Sequence, residues 1–223
     1  MFSMGCFTIY IIIALILILP LLFAQLITGA FVTLGFTPGQ ALLLLIGVLF
    51  GGLINIPIKK WPIKQQEIKS FNIFFFPQST RRYKILAINV GGAIIPGAVS
   101  IWEIYRILTE FSTSFPNAPL IFLGILFINI IISYNTARPV EGKGIAMPAL
   151  IPPVVVSVPS IILLPEIAPV IAFPAGVLGV LIGADIMHLK DIKKMNTPIG
   201  SIGGAGTFDG IFLCGILSVL LTG

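Results

Sequence analysis

Two aspartates stand in the most apolar part of the chain: Asp185 within Gly183-Ala184-Asp185-Ile186, and Asp209 at the end of Gly203-Gly204-Ala205-Gly206-Thr207-Phe208-Asp209-Gly210. A carboxylate inside hydrocarbon costs roughly 2.5–3.5 kcal/mol on insertion scales, so each one requires a partner or a purpose. Two carboxylates held close together in a low dielectric cannot both ionise, and they titrate as a pair sharing one proton. That is the requirement of aspartyl hydrolysis. One carboxylate takes the proton of an attacking water while its protonated partner polarises the carbonyl oxygen of a peptide. Gly203, Gly204, Gly206 and Gly210 leave space beside Asp209 for a substrate backbone. His188, one helical turn from Asp185, is the only histidine; it is close enough to tune the pair, but a headgroup-level residue with no role is the favoured reading.

The elements that must position these residues follow from composition. The chain has 223 residues, of which 9% are charged, and a mean hydropathy of +1.10, too apolar to build a water-facing globular surface. Apolar runs of about 17–25 residues, without period-two alternation, read as membrane-spanning helices rather than a barrel. The expectation is an all-α polytopic bundle forming one integral membrane domain over residues 1–223. Seven spans are expected, over about Phe7–Leu34, Gln40–Ile56, Ile85–Trp102, Leu120–Tyr134, Pro148–Leu164, Ala168–Leu189 and Ile199–Leu221.

The net charge of +5 would suit nucleic acid, but the basic residues fall in loops between spans, where they act as orientation signals, and no nucleic-acid partner is expected. Seven spans with a cytoplasmic N-terminus and an external C-terminus put every basic residue except Arg106 on the cytoplasmic side of a cell membrane. The segment Phe71–Phe76 reads as an interfacial stretch with Trp61 and Tyr83 as anchors. Glu103–Pro119 is expected outside the bilayer. Cys6 and Cys214 are too few and too far apart for a disulfide framework or a zinc knuckle. Neither a metal nor an organic cofactor is called for.

Three spans are expected to be broken. Span 3 carries Asn89-Val90-Gly91-Gly92-Ala93 followed by Pro96, span 5 carries Pro148, Pro152, Pro153 and Pro159, and span 7 carries the glycine run before Asp209. Val90-Gly91-Gly92-Ala93 is matched by Ile202-Gly203-Gly204-Ala205, and Gly47–Gly52 by Gly179–Ala184. These pairs suggest a parallel duplication of residues 1–102 and 148–223.

One aspartate on a span entering the cytoplasm and the next on the span leaving it resembles the presenilin and signal-peptide-peptidase group of intramembrane aspartyl proteases. That group carries Gly-x-Gly-Asp on the second span; here two further residues separate Gly204-Ala205-Gly206 from Asp209. Ala184-Asp185 stands where the group has Tyr-Asp, and Pro148-Ala149-Leu150, its Pro-Ala-Leu counterpart, precedes the aspartates instead of following them. A second resemblance covers most of the chain. Asn89-Val90-Gly91-Gly92, Ala137-Arg138-Pro139-Val140, Ile182–Asp185 and Ser201–Phe212 are similar to a domain-of-unknown-function family of bacterial and archaeal integral membrane proteins, which implies the architecture and no activity.

Three functions are compatible with this reading. The first is an intramembrane aspartyl protease with Asp185 and Asp209 as the dyad, acting on a membrane-spanning peptide. Asn89, Arg138, Pro148, Ala149, Leu150, Gly203, Gly204 and Gly206 would line its substrate site. The second is a carrier coupled to protons or a small cation, with the carboxylates as ligands at broken helices. The third is a scaffold in the lipid bilayer whose aspartates cap unwound helix ends or pair with Arg138.

Overall fold

The computed structural model describes residues 4–62, 83–140, 144–194, 199–204 and 209–223. The chain is mostly helical, in the order α1 (Met4–Thr33), α2 (Pro38–Gly51), β1 (Asn55–Pro62), β2 (Tyr83–Asn89), α3 (Ile95–Arg106), α4 (Ser112–Ser114), α5 (Ala118–Thr136), β3 (Arg138–Val140), β4 (Gly144–Ala146), α6 (Ile151–Leu163), α7 (Ala168–Val180), α8 (Leu189–Lys194), β5 (Ile199–Ile202) and α9 (Gly210–Thr222). Widened, π-type turns lead into α3 at Val90–Ile94, follow it at Ile107–Phe111 and extend α7 at Leu181–Ile186. Among the described residues, three helical stretches are long and apolar enough to cross a membrane: Ile16–Thr33, Ala118–Thr136 and Pro165–Ile186. Pro38–Gly51, Ile151–Leu163 and Gly210–Thr222 are shorter apolar helices.

The long stretches differ in their surroundings. Pro165–Ile186 is enclosed by protein, whereas Ile16–Thr33 and Ala118–Thr136 leave most of their apolar surface exposed, as expected of helices solvated by lipid. The central helix α7 is buried along almost its whole length and packs on α9, α5, α6 and α3. Small residues permit these approaches. A Cβ on Gly179 would sit 2.2 Å from Asn129 Nδ2, and one on Gly183 would sit 2.4 Å from the Ile130 carbonyl. The fully buried Asn129 then donates to the Ala175 carbonyl at 2.9 Å, an interhelical bond that satisfies an otherwise costly amide.

An all-helical chain is corrected at several places. Residues expected to begin spans 3 and 7 are strands instead: β2 is the centre of a three-stranded sheet, antiparallel to β1 and parallel to β5, with Ile85–Ile88 opposite Ile199–Ile202. Buried strand runs this short carry no periodicity that separates them from helix. A two-stranded hairpin, β3–β4, occupies the loop before α6. Span 5 is corrected in the opposite sense, since Ile151–Leu163 is a helix despite its prolines. Pro152 and Pro153 lie in its first turn, where no N–H is required. Glu103, at the start of the segment expected outside the bilayer, is fully buried within the protein. The Phe71–Phe76 stretch and Gly206 lie outside the described residues.

The sheet forms one end of the bundle. Leu86, Ala93, Ile192 and Ile202 make a cluster against which Trp61, Ile145 and Leu189 pack, so β1, β2, β4, β5 and α8 converge there. Lys84 reaches across it to donate to the carbonyls of Ile192 and Lys193, capping the last turn of α8. Lys59, Lys60, Arg138, Lys190 and Lys193 all belong to these elements or to β3, paired with β4. Arg106, by contrast, closes α3, where it donates to the Leu34 carbonyl at 2.6 Å and pairs with Glu103 and Glu110 at 3.0 Å each.

Candidate active site

Just beyond β2 and β5 lie two pairs of glycines, Gly91-Gly92 and Gly203-Gly204, and the two pairs are in contact. Asn89 closes β2 and is fully buried. Its Oδ1 accepts the Gly92 N–H at 2.7 Å, while its Nδ2 donates to the Gly52 carbonyl at 2.8 Å and to Asn55 Oδ1 at 3.2 Å. Ser201 of β5 donates to the same Asn55 oxygen at 2.7 Å. Asn89 thus caps the turn that begins the third helical segment and ties it to the end of α2 and to the sheet.

The glycines let main chains meet. A Cβ on Gly91 would lie 2.1 Å from the Val48 carbonyl oxygen, and one on Gly92 would lie 2.1 Å from that of Gly203. Gly203 and Gly204 adopt φ of +79° and +70°, a left-handed conformation that disfavours any side chain. The resulting turn carries both aspartates. Asp185 Oδ2 accepts the Gly203 N–H at 2.8 Å. Asp209 lies on the next residue, since a Cβ on Gly204 would sit 2.6 Å from its Oδ1.

Each acid is placed by a distinct local device. Asp185 belongs to the widened turn at the end of α7, in which Met187 N–H bonds the Ile182 carbonyl at 2.9 Å in place of the α-helical partner. Asp209 has extended backbone angles and is the N-cap of α9, its Oδ2 accepting from Ile211 N–H at 3.5 Å. Both are half-buried. The hydrogen bonds described above use Oδ2 of each acid and are directed at main-chain donors.

Of the residues read from sequence as a site, the structure brings together Asp185, Asp209, Gly203, Gly204 and Asn89, and it adds Gly92 to them. Arg138, Pro148, Ala149 and Leu150 are exposed on and after the β3–β4 hairpin. Among the described residues they form no ion pair or side-chain hydrogen bond with either aspartate, and the pairing of an aspartate with Arg138 is therefore corrected. Their likeness to a short motif had no geometric constraint behind it. The role of Gly92 was signalled by the Gly-Gly repeat, whereas Asn55 and Ser201 carried no signal, because their contacts depend on strand register. Among the described residues no group of three metal-ligating side chains converges.

No curated protein and no solved structure matches the chain. One family model does, over residues 49–221, a stretch that takes in both aspartates, both glycine pairs and the whole sheet; the chain belongs to the family described as protein of unknown function, DUF1614.

Proposed function

We propose that this chain is a polytopic membrane hydrolase in which Asp185 and Asp209 form an acid dyad that cleaves a peptide bond at one end of the bundle. The observation that carries the reading is that both carboxylates lie against consecutive residues of one side-chain-free turn, Gly203 and Gly204. A peptide carbonyl seated over that turn would have one ionised acid to accept a proton from water and one protonated acid to polarise it. The weaker likeness to the presenilin group, with its broken glycine motif, points in the same direction. A membrane-spanning peptide is the substrate class that suits acids at the end of a lipid-facing helix bundle.

The seven-span topology belongs to this proposal. It is supported by the gathering of Lys59, Lys60, Arg138, Lys190 and Lys193 on elements at the sheet end, which the positive-inside rule makes cytoplasmic. The proposed duplication is supported by β2 and β5 running parallel, each into a glycine pair and then a helix.

A carrier function draws on a separate observation. Asp209 caps the N-terminus of α9, and the turn leading into α3 meets Gly203 at Gly92, so a positive helix end sits at one acid of the pair, as in transporters with broken helices. One set of variants separates these readings from a purely structural role. Asparagine can still accept the Gly203 N–H at position 185 and is a good N-cap at position 209, so Asp185→Asn and Asp209→Asn should fold normally. A hydrolase loses cleavage of a membrane-spanning reporter in both, and cleavage surviving either substitution defeats the dyad. Flux in proteoliposomes that depends on Asp209, without cleavage, selects the carrier.

A further inference from the structure

A widened turn has a specific weakness. In an α-helix the Gly183 carbonyl would accept the N–H of Met187, but here that N–H bonds Ile182 at 2.9 Å. The carbonyl of Gly183 is instead engaged by a side chain, His188 Nδ1, at 3.2 Å. A carbonyl can only accept, so the ring carries its proton on Nδ1. His188 is buried, and its ring lies on Tyr134 of α5 with centroids 4.8 Å apart and an interplanar angle of 34°. The same helix presses on Gly183, where a Cβ would meet Ser133 Cβ at 2.9 Å. The imidazole is therefore held in place by packing, with its N–H on the acceptor that an α-helical turn would reclaim.

We infer that His188 is a positioning residue for Asp185: by occupying the Gly183 carbonyl it holds the turn in the register that lets Asp185 reach the Gly203 N–H. Without that bond, Met187 N–H can return to Gly183, and taking the extra residue out of the turn rotates one side against the other by about 100°. Asp185 then leaves Gly203. The catalytic part of this inference rests on the proposed dyad; the structural part does not.

The experiment uses the full chain in lipid nanodiscs, with His188→Asn, whose amide nitrogen falls near ring Nδ1, and His188→Gln, whose amide nitrogen falls nearer Nε2. Amide exchange at Gly203 reports the Asp185 bond without reference to activity. His188→Asn should leave it near the wild-type rate. His188→Gln should speed it on the order of tenfold and lower reporter kcat on the order of 10- to 100-fold with KM little changed, as expected of a misplaced reacting group. Equal exchange in the two variants overturns the inference. Nitrogen-15 spectra of labelled wild-type protein give a second reading that needs no variant: a proton on Nδ1 is expected, and a neutral ring protonated on Nε2 overturns it. A wild-type chain that cleaves nothing defeats the dyad, while Gly203 exchange still decides the clamp.

Discussion

Gly92→Ala tests whether the contact between the two glycine pairs builds the site. An added methyl would stand 2.1 Å from the Gly203 carbonyl oxygen and 3.2 Å from Asp209 Cβ, whereas close carbon-to-oxygen contacts settle near 3.3 Å. The Gly203 turn and the start of the third helical segment must therefore separate by roughly 1 Å. The obstructing atom is main chain, so no side chain can swing away. Overpacking of this kind costs about 1–3 kcal/mol. Gly97→Ala, in α3, is the control, since nothing lies within 4 Å of its added methyl and alanine favours a helix by roughly 0.5–1 kcal/mol. The two variants should thus differ in unfolding free energy by about 1.5–4 kcal/mol in the same micelles. A 1 Å shift of Gly203 would also stretch its 2.8 Å bond to Asp185 beyond hydrogen-bonding length. Exchange of the Gly203 amide should rise, and cleavage should fall on the order of 100-fold. If Gly92→Ala melts with wild type and leaves Gly203 protected, the reasoning about the glycine contact is refuted.

Two further substitutions probe the supports of the site and the opposite end of α3. Asn89→Leu removes partners from the buried Gly92 N–H and Gly52 carbonyl, at about 1–3 kcal/mol for each group left bare; a denaturation midpoint equal to wild type would argue against the cap. Arg106→Leu strands the buried Glu103, whose Oε1 already lacks a partner among the described residues. The loss should be about 3–5 kcal/mol, with much of it recovered in Glu103→Leu/Arg106→Leu. A double variant less stable than the single would contradict this account of the pair.

The parts of the site legible in the sequence were those with an energetic anomaly attached. Asp185 and Asp209 stood out because charge in apolar segments is costly, and the Gly91-Gly92 and Gly203-Gly204 pairs because glycine interrupts helices. Their convergence follows from consecutive apolar segments folding back on each other. The sheet was hidden for a physical reason: Ile85–Ile88 and Ile199–Ile202 are short apolar runs whose strand character comes from each other, across half the length of the chain. Pro152 and Pro153 misled because their effect depends on the position of the helix start, which composition does not give. The widened turn at Leu181–Ile186 likewise depends on tertiary competition for one carbonyl.

The parallel pairing of β2 with β5 joins residues more than a hundred positions apart. Closing so wide a loop is slow, and its rewards arrive only after the entropy of closure has been met. In a nascent chain α1 to α8 precede β5, and until β5 exists Gly92 has no Gly203 to rest on and Asp185 no Gly203 amide to hold it. The hold on Asp185 therefore waits on a strand made long after the helix that carries its partner glycines, Gly91 and Gly92.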